Sequence, residues 1–166
     1  MDFVYVGKVA NTHGLKGEIR ILSTFYVPSS TFDIGNVLYI LDKPYVIKSY
    51  RKHKNFDMVT FDNMDSIDLV LPLKGNDCYI KRSSIKESIL TDFISKDVFY
   101  KDLIGKVVDI VEGVKYPYFE IILNNKKYLV PILDNFYEET DDGIKIVEMD
   151  GLFDENWYFN FISRNV

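Results

Sequence analysis

Short apolar runs broken by turn residues recur roughly every 8–14 positions along this 166-residue chain, and that rhythm is the spacing of an all-β sandwich or barrel. Phe3–Ala10 reads as a strand ending at an Asn11–Gly17 loop, and Glu18–Thr24 as the next strand. Asn36–Leu41 and Pro44–Tyr50 flank Asp42-Lys43, a short polar break that suits a hairpin. Met58–Phe61 and Cys78–Lys81 complete a six-strand set, with a helical turn over Ser66–Leu73 stopped near Pro72 and Gly75. A second series runs through Lys106–Val111, Tyr118–Leu123, Lys127–Ile132 and Ile144–Val147. Asn124-Asn125 and Asp142-Gly143 are its turn signals, since these side chains tolerate positive φ.

Residues 83–97, SSIKESILTDFISKD, interrupt the rhythm with no strand alternation, so two small β domains fit better than one large one. The expected division is 1–84 as one domain, 85–97 as a linker with one helical turn, and 98–166 as the second domain. Composition agrees with strands. Ile (18), Val (16), Tyr (12) and Phe (12) favour a pleated surface, whereas Ala occurs once and Gln never. An AT-rich coding sequence produces a similar bias, so the pattern outweighs the totals.

The net charge of -5 argues against a uniformly basic nucleic-acid coat. It divides unevenly. Residues 1–84 carry 11 Lys/Arg against 9 Asp/Glu, a net of +2, and residues 85–166 carry 9 against 16, a net of -7. Such asymmetry suits either two different partners or simple solubility. One cysteine excludes an internal disulfide framework and suits a reducing compartment. The amino terminus lacks the pattern of a secretory signal, and apolar runs such as Val37–Leu41 are far too short to span a membrane. A soluble, cytoplasmic protein is expected.

Three constellations are chemically suggestive. Gly14 and Gly17 frame a loop that holds His13 and Lys16 and leads into Glu18, but it lacks the lysine–hydroxyl ending and following helix of a phosphate-binding Walker loop. His13 with Glu18 has the form of a base and its orienting carboxylate, yet no nucleophile or third metal ligand accompanies them. The run Lys48-Ser49-Tyr50-Arg51-Lys52-His53-Lys54 interleaves cations with an aromatic ring. On a strand, Lys48, Tyr50, Lys52 and Lys54 share one face and Arg51 and His53 the other, which fits phosphate contacts and base stacking. A charged edge strand fits equally well. Phe99-Tyr100-Lys101-Asp102-Leu103-Ile104-Gly105 opens the second series, its two adjacent aromatics either an interface anchor or a buried plug. Trp157, Tyr158, Phe159, Phe161 and Ile162 suit docking on a core or binding a partner.

The runs VGKVANTHGLKGEIRIL, FDIGNVLY, SYRKHK and LKGNDCYIKR together resemble the amino-terminal domain of the RimM family of bacterial ribosome maturation factors. FYKDLIG, the Tyr128–Ile132 strand and EMDGL at Glu148–Leu152 resemble that family's PRC-barrel domain. The resemblance covers nearly the whole chain in order. HGLKGE with SYRKHK is specific, whereas DLIG is common to PRC-barrel domains.

It implies an all-β protein of two small barrels, an amino-terminal six-stranded translation-factor-like barrel and a carboxyl-terminal PRC-barrel. It also implies a factor without catalysis and without a cofactor or metal. Such a factor binds the free small (30S) ribosomal subunit and assists late assembly of its head and processing of 16S rRNA. The implied protein partner is the nineteenth small-subunit protein, met by Phe99, Tyr100, Lys101 and Asp102. The implied rRNA-facing residues are His13, Lys16, Lys48, Arg51, Lys52, His53 and Lys54. A monomer that avoids membranes is expected. Val98 and Lys101 stand where the family often has a third aromatic residue and a histidine. The stretch between DLIG and Tyr128 is roughly ten residues shorter than in the family, which implies a smaller or partly open second barrel. The competing readings are a general RNA-binding module and a hydrolase built on His13 and Glu18.

Overall fold

A computed structural model describes residues 2–148 and Phe153. The Trp157–Ile162 aromatics and the last four residues of EMDGL lie outside the described residues. The chain divides into two compact units, Met1–Ser88 and Ile89–Val166. Among the described residues no helix is long and apolar enough to cross a membrane.

The first unit contains β1 (Phe3–His13), β2 (Glu18–Ser23), β3 (Val37–Ile40), β4 (Lys43–His53), β5 (Phe56–Phe61) and β6 (Asp77–Lys81). They close into a barrel in the order β1-β2-β5-β4-β3-β6, in which every neighbouring pair is antiparallel. Alternation sets the inside. Leu38, Ile40, Cys78 and Ile80 are fully buried, and the residues between them, Tyr39 and Tyr79, face outward. Val6, Val9, Ile19, Ile21, Met58 and Phe61 are buried with them. A short helix, α1 (Ile67–Val70), and the 3-10 turn Leu71–Leu73 bury Val70 and Leu73.

Two strands are longer than their apolar runs. Ala10 has no partner in β2, a bulge, and pairing then resumes from Asn11↔Arg20 to His13↔Glu18. The expected Asn11–Gly17 loop therefore shrinks to the tight turn Gly14–Gly17. β4 likewise continues past Tyr50 to His53, because Arg51, Lys52 and His53 pair with Met58, Asp57 and Phe56. The β3–β4 turn is Leu41-Asp42, both at positive φ (52° and 59°), and Lys43 already belongs to β4. This two-residue turn matches the right-handed twist of the strands it joins.

The second unit contains β7 (Asp97–Tyr100), β8 (Leu103–Val111), β9 (Tyr118–Leu123), β10 (Lys126–Pro131), β11 (Tyr137–Thr140) and β12 (Gly143–Ile146). They form a six-stranded sheet in the order β10-β9-β8-β7-β12-β11, with β7 and β12 parallel. Asn124-Asn125 makes the β9–β10 turn at φ 50° and 60°, as expected. Gly143, expected in a turn, instead pairs with Asp97 and Thr140 inside β12. Val98, Val107, Phe119, Ile121, Leu123, Val130, Ile144 and Ile146 form the core. Phe119 is its centre, edge-on to Phe93 (5.6 Å) and Tyr137 (5.0 Å). The segment before β7 holds a 3-10 turn at Leu90–Phe93 and buries Ile89 and Phe93.

Candidate functional site

The basic run of β4 is organised by a carboxylate from the neighbouring strand. Asp57, in β5, is 2% exposed. Its oxygens accept hydrogen bonds from the Tyr50 hydroxyl (2.9 Å), the Ser23 hydroxyl and Lys52 Nζ (3.0 and 3.1 Å). A buried carboxylate needs such partners, because an unpaired charge away from water is strongly unfavourable. Tyr50 and Lys52 are two residues apart and therefore share a face, as the sequence predicts. Burial, and next the bond to Asp57, pushes the Tyr50 hydroxyl up to about 12. Its ring stacks on buried Phe32 (5.3 Å between centroids, 11° between planes), so one face is covered.

Lys48 and Arg51 of the run are also paired. Lys48 Nζ lies 2.9 Å from Asp65, which raises its pKa. Arg51 reaches Glu18 with two N–H groups, Nε at 2.9 Å and Nη2 on the other oxygen. That fork holds the Glu18 carboxyl below its ordinary value, first through the hydrogen bond and then through the guanidinium charge, against the effect of burial. Among the described residues Lys16, His53 and Lys54 carry no ion pair.

His13 stands at the end of β1 between two charges. Arg20 Nη2 donates to His13 Nδ1 at 2.7 Å, so the proton of the neutral ring sits on Nε2, which faces Glu18 Oε1 at 3.9 Å. Arg20 also lies over the Phe56 ring at 6.0 Å. His13, Arg20, Glu18 and Arg51 thus form one charged chain across β1, β2 and β4. Gly17 pins the adjoining turn: its φ is 75°, and a Cβ there would lie 1.8 Å from the Met64 carbonyl oxygen. The Leu15 carbonyl accepts from the Ile67 amide on the same side. Among the described residues no group of three or more His, Cys, Asp or Glu side chains is arranged to hold a metal.

These residues do not all converge. Glu18, beside the β1–β2 turn, opens β2 and lies next to Ile19↔Val59, whereas Ile21↔Asp57 lies toward the β4–β5 turn. The two turns are therefore at opposite ends of β2. Lys16 and Lys48 belong to one end, His53 and Lys54 to the other, and Arg51 lies between. Lys54, at φ 53°, is in the turn and not on the strand face assigned from alternation.

Phe99 and Tyr100 end β7, and Lys101-Asp102 forms the turn into β8. Both aromatic residues are half-buried. Tyr100 meets Phe153 edge-on at 4.5 Å, Phe153 meets Tyr128 at 4.7 Å, and Lys101 Nζ lies 5.3 Å from the Tyr100 ring. The open apolar surface beside this turn belongs to Leu103 (41% exposed) and Ile104 (68% exposed), the latter paired with Phe99. The sequence places Leu103 and Ile104 inside the Phe99–Gly105 stretch without singling them out as contact residues, and it does not single out Asp57. The clue to the first pair was two branched apolar residues directly after a polar turn.

Residues 4–85 match the family model described as the RimM N-terminal domain. A ribosome maturation factor RimM from Listeria monocytogenes serotype 4b is 33% identical over 177 residues, covering 93% of this chain and all of the relative. One from Ligilactobacillus salivarius is 40% identical over 124 residues, covering 67% of this chain and 73% of the relative. The solution structure of the N-terminal domain of RimM from Thermus thermophilus overlays with a TM-score of 0.45 at 16% identity, over 52% of this chain and 98% of that one.

Proposed function

The chain belongs to the RimM family of ribosome maturation factors, and from that premise we propose that it assists late maturation of the small ribosomal subunit by binding, without catalysis. In this reading it binds the free 30S subunit, promotes folding of the head and processing of 16S rRNA, and leaves when mature contacts form. It acts in the cytoplasm as a monomer.

The observation that carries the reading is the β7–β8 hairpin. It gathers Phe99, Tyr100, Lys101 and Asp102 next to the exposed side chains of Leu103 and Ile104. Aromatic and branched apolar residues rimmed by charge are the composition of an interface centre. The partner assigned to it is the nineteenth small-subunit protein. Residues 85–166 carry a net of -7, which favours encounter with a basic protein. The first unit supplies the rRNA-facing set, His13, Lys16, Lys48, Arg51, Lys52, His53 and Lys54. Within it, Lys16 and Lys54 carry the charge least neutralised by neighbours among the described residues. Lys48, Arg51 and Lys52 must exchange a carboxylate for a phosphate, and they therefore contribute less to affinity.

Sedimentation tests the proposal. The protein should travel with free 30S subunits and not with assembled ribosomes. Phe99→Ala with Tyr100→Ala, and separately the surface change Ile104→Glu, should each weaken binding to the purified nineteenth protein about tenfold or more. Equal association with both ribosomal pools, or unchanged affinity in both variants, overturns it.

A further inference from the structure

The outer wall of the first barrel carries an aromatic stripe that none of the residues assigned above explains. β1, β6 and β3 are consecutive neighbours, and their register sets Tyr5 opposite Tyr79 and Tyr79 opposite Tyr39. Phe3 joins from the start of β1, edge-on to Tyr39 at 4.9 Å, while Tyr5 and Tyr79 lie 5.5 Å apart. Inward neighbours Cys78 and Ile80 are buried, so this wall faces water, with Phe3 43% and Tyr79 38% exposed.

At its end the stripe borders an open groove of about 630 Å³ lined by Phe3, Tyr39, Tyr79, Leu41, Asp42 and Asp77, with Asn76 between the last strand and its loop. Its described lining contains two carboxylates and no cation. Among the described residues neither aspartate has an ion pair, and Asp77 accepts a single long bond, from the Tyr5 hydroxyl (3.4 Å), although its register partner is Lys8. Asp42 sits in the β3–β4 turn with no ion pair among the described residues.

We propose that this groove binds an arginine-bearing segment of another protein, with the guanidinium against the Tyr39 and Tyr79 rings and its N–H fork on Asp77 and Asp42. Two features select this occupant. Ring faces attract cations, and the stripe already holds one, Lys81 Nζ, 5.6 Å from the Tyr39 centroid. A planar guanidinium stacks on an aromatic face and bonds a carboxylate in one placement, which an ammonium does not do. An RNA strand also stacks on aromatic rings, but it would bring its phosphates against Asp42 and Asp77. This inference is independent of the ribosomal reading, because it concerns other residues and makes no assumption about the source of the segment.

Amide NMR on the full chain, titrated with a blocked glycine–arginine pentapeptide, tests it. Shifts should centre on β6, the start of β1 and the Leu41-Asp42 turn. Asp42→Asn with Asp77→Asn, two exposed changes that leave the barrel interior untouched, should weaken binding about tenfold, as should Tyr79→Leu. The proposal is overturned if the groove amides do not move, or if the peptide shifts chiefly the acidic residues of the second unit. Equal affinity in the aspartate variant overturns it as well, as does hexauridylate occupying the groove at lower concentration than the peptide.

Discussion

Replacing Asp57 with asparagine tests whether one buried carboxylate organises the basic face of β4. Asp57 accepts from Tyr50, Ser23 and Lys52. Lys52 is 54% exposed, so its ion pair is screened and contributes about 0.5 kcal/mol. The two hydroxyl bonds end on a buried charge and contribute about 1.5–3 kcal/mol each, opposed by a desolvation penalty of several kcal/mol for the carboxylate. Asparagine keeps the shape and one acceptor, and a hydroxyl facing its amide nitrogen can turn to accept. The expected loss is about 1–2 kcal/mol for Asp57→Asn. Asp57→Ala leaves both hydroxyls without this acceptor and opens a void, for a loss of about 3–4 kcal/mol. At a urea dependence of about 1.5 kcal/mol/M, the midpoints fall by about 1 M and about 2.3 M. Urea unfolding of the full chain, with β4 and β5 amide signals reporting the first unit, measures both. A double-mutant cycle with Tyr50→Phe should show coupling of about 1 kcal/mol. Midpoints within about 0.3 M of the parent for both variants, or no coupling to Tyr50, would refute the argument that Asp57 holds these side chains.

Three further outcomes follow from the ionisable groups. Because Glu18 is held below its ordinary value of 4.5, the unfolded chain takes up more protons in that range. The stability from its link to Arg51 is present above pH 4.5 and is lost as pH falls through the lower folded value. Arg51→Ala should move the Glu18 carboxyl resonance back toward 4.5, and an unmoved titration contradicts the pairing. Tyr50, pushed up from 10 to about 12, contributes stability that is complete below pH 10 and disappears as pH rises through 12. Tyr50→Phe should remove the latest tyrosinate absorbance step, and retention of that step counts against its assignment. Cys78 is fully buried and its thiol is pushed up to about 12, so its thiolate fraction at pH 8 is about 10⁻⁴, against about a quarter for a free thiol. A disulfide reagent should label the folded chain about a thousandfold more slowly than the urea-unfolded chain, and comparable rates would contradict its burial.

The strands legible in the sequence are those whose apolar residues alternate within one run. β9 has the predicted bounds, Tyr118–Leu123, because Phe119, Ile121 and Leu123 all point inward. β7 was hidden, since its four residues draw their pairing from β8 and from β12, far along the chain. β11 reads Tyr-Glu-Glu-Thr and is exposed over its last three residues, so no apolar signal marks it. β1 outran its apolar run because a bulge at Ala10 restores pairing for the polar residues Asn11, Thr12 and His13. The same logic divides the site. The cations of β4 and the aromatics of β7 are visible as composition, but their partners are not. Asp57 looks like an ordinary polar residue until the barrel places Ser23 on one side of it and Lys52 on the other. The Tyr5–Tyr79–Tyr39 stripe was invisible for the same reason, being assembled from three strands that are neighbours only in space.

The parallel pairing of β7 with β12 has a bearing on how the chain is made. Asp97 meets Gly143, 46 residues further on, so during synthesis β7 has only β8 to pair with until β12 emerges. The first barrel closes between its first and last strands, Lys8 against Asp77, and is complete once β6 is available. Translation therefore delivers a sealed unit first. It then delivers a sheet whose edge at β7 stays open until Gly143–Ile146 has been added, and an unpaired edge of that kind is a template for wrong pairing. A pause in synthesis after β7 has emerged and before β12 has done so would prolong that exposure.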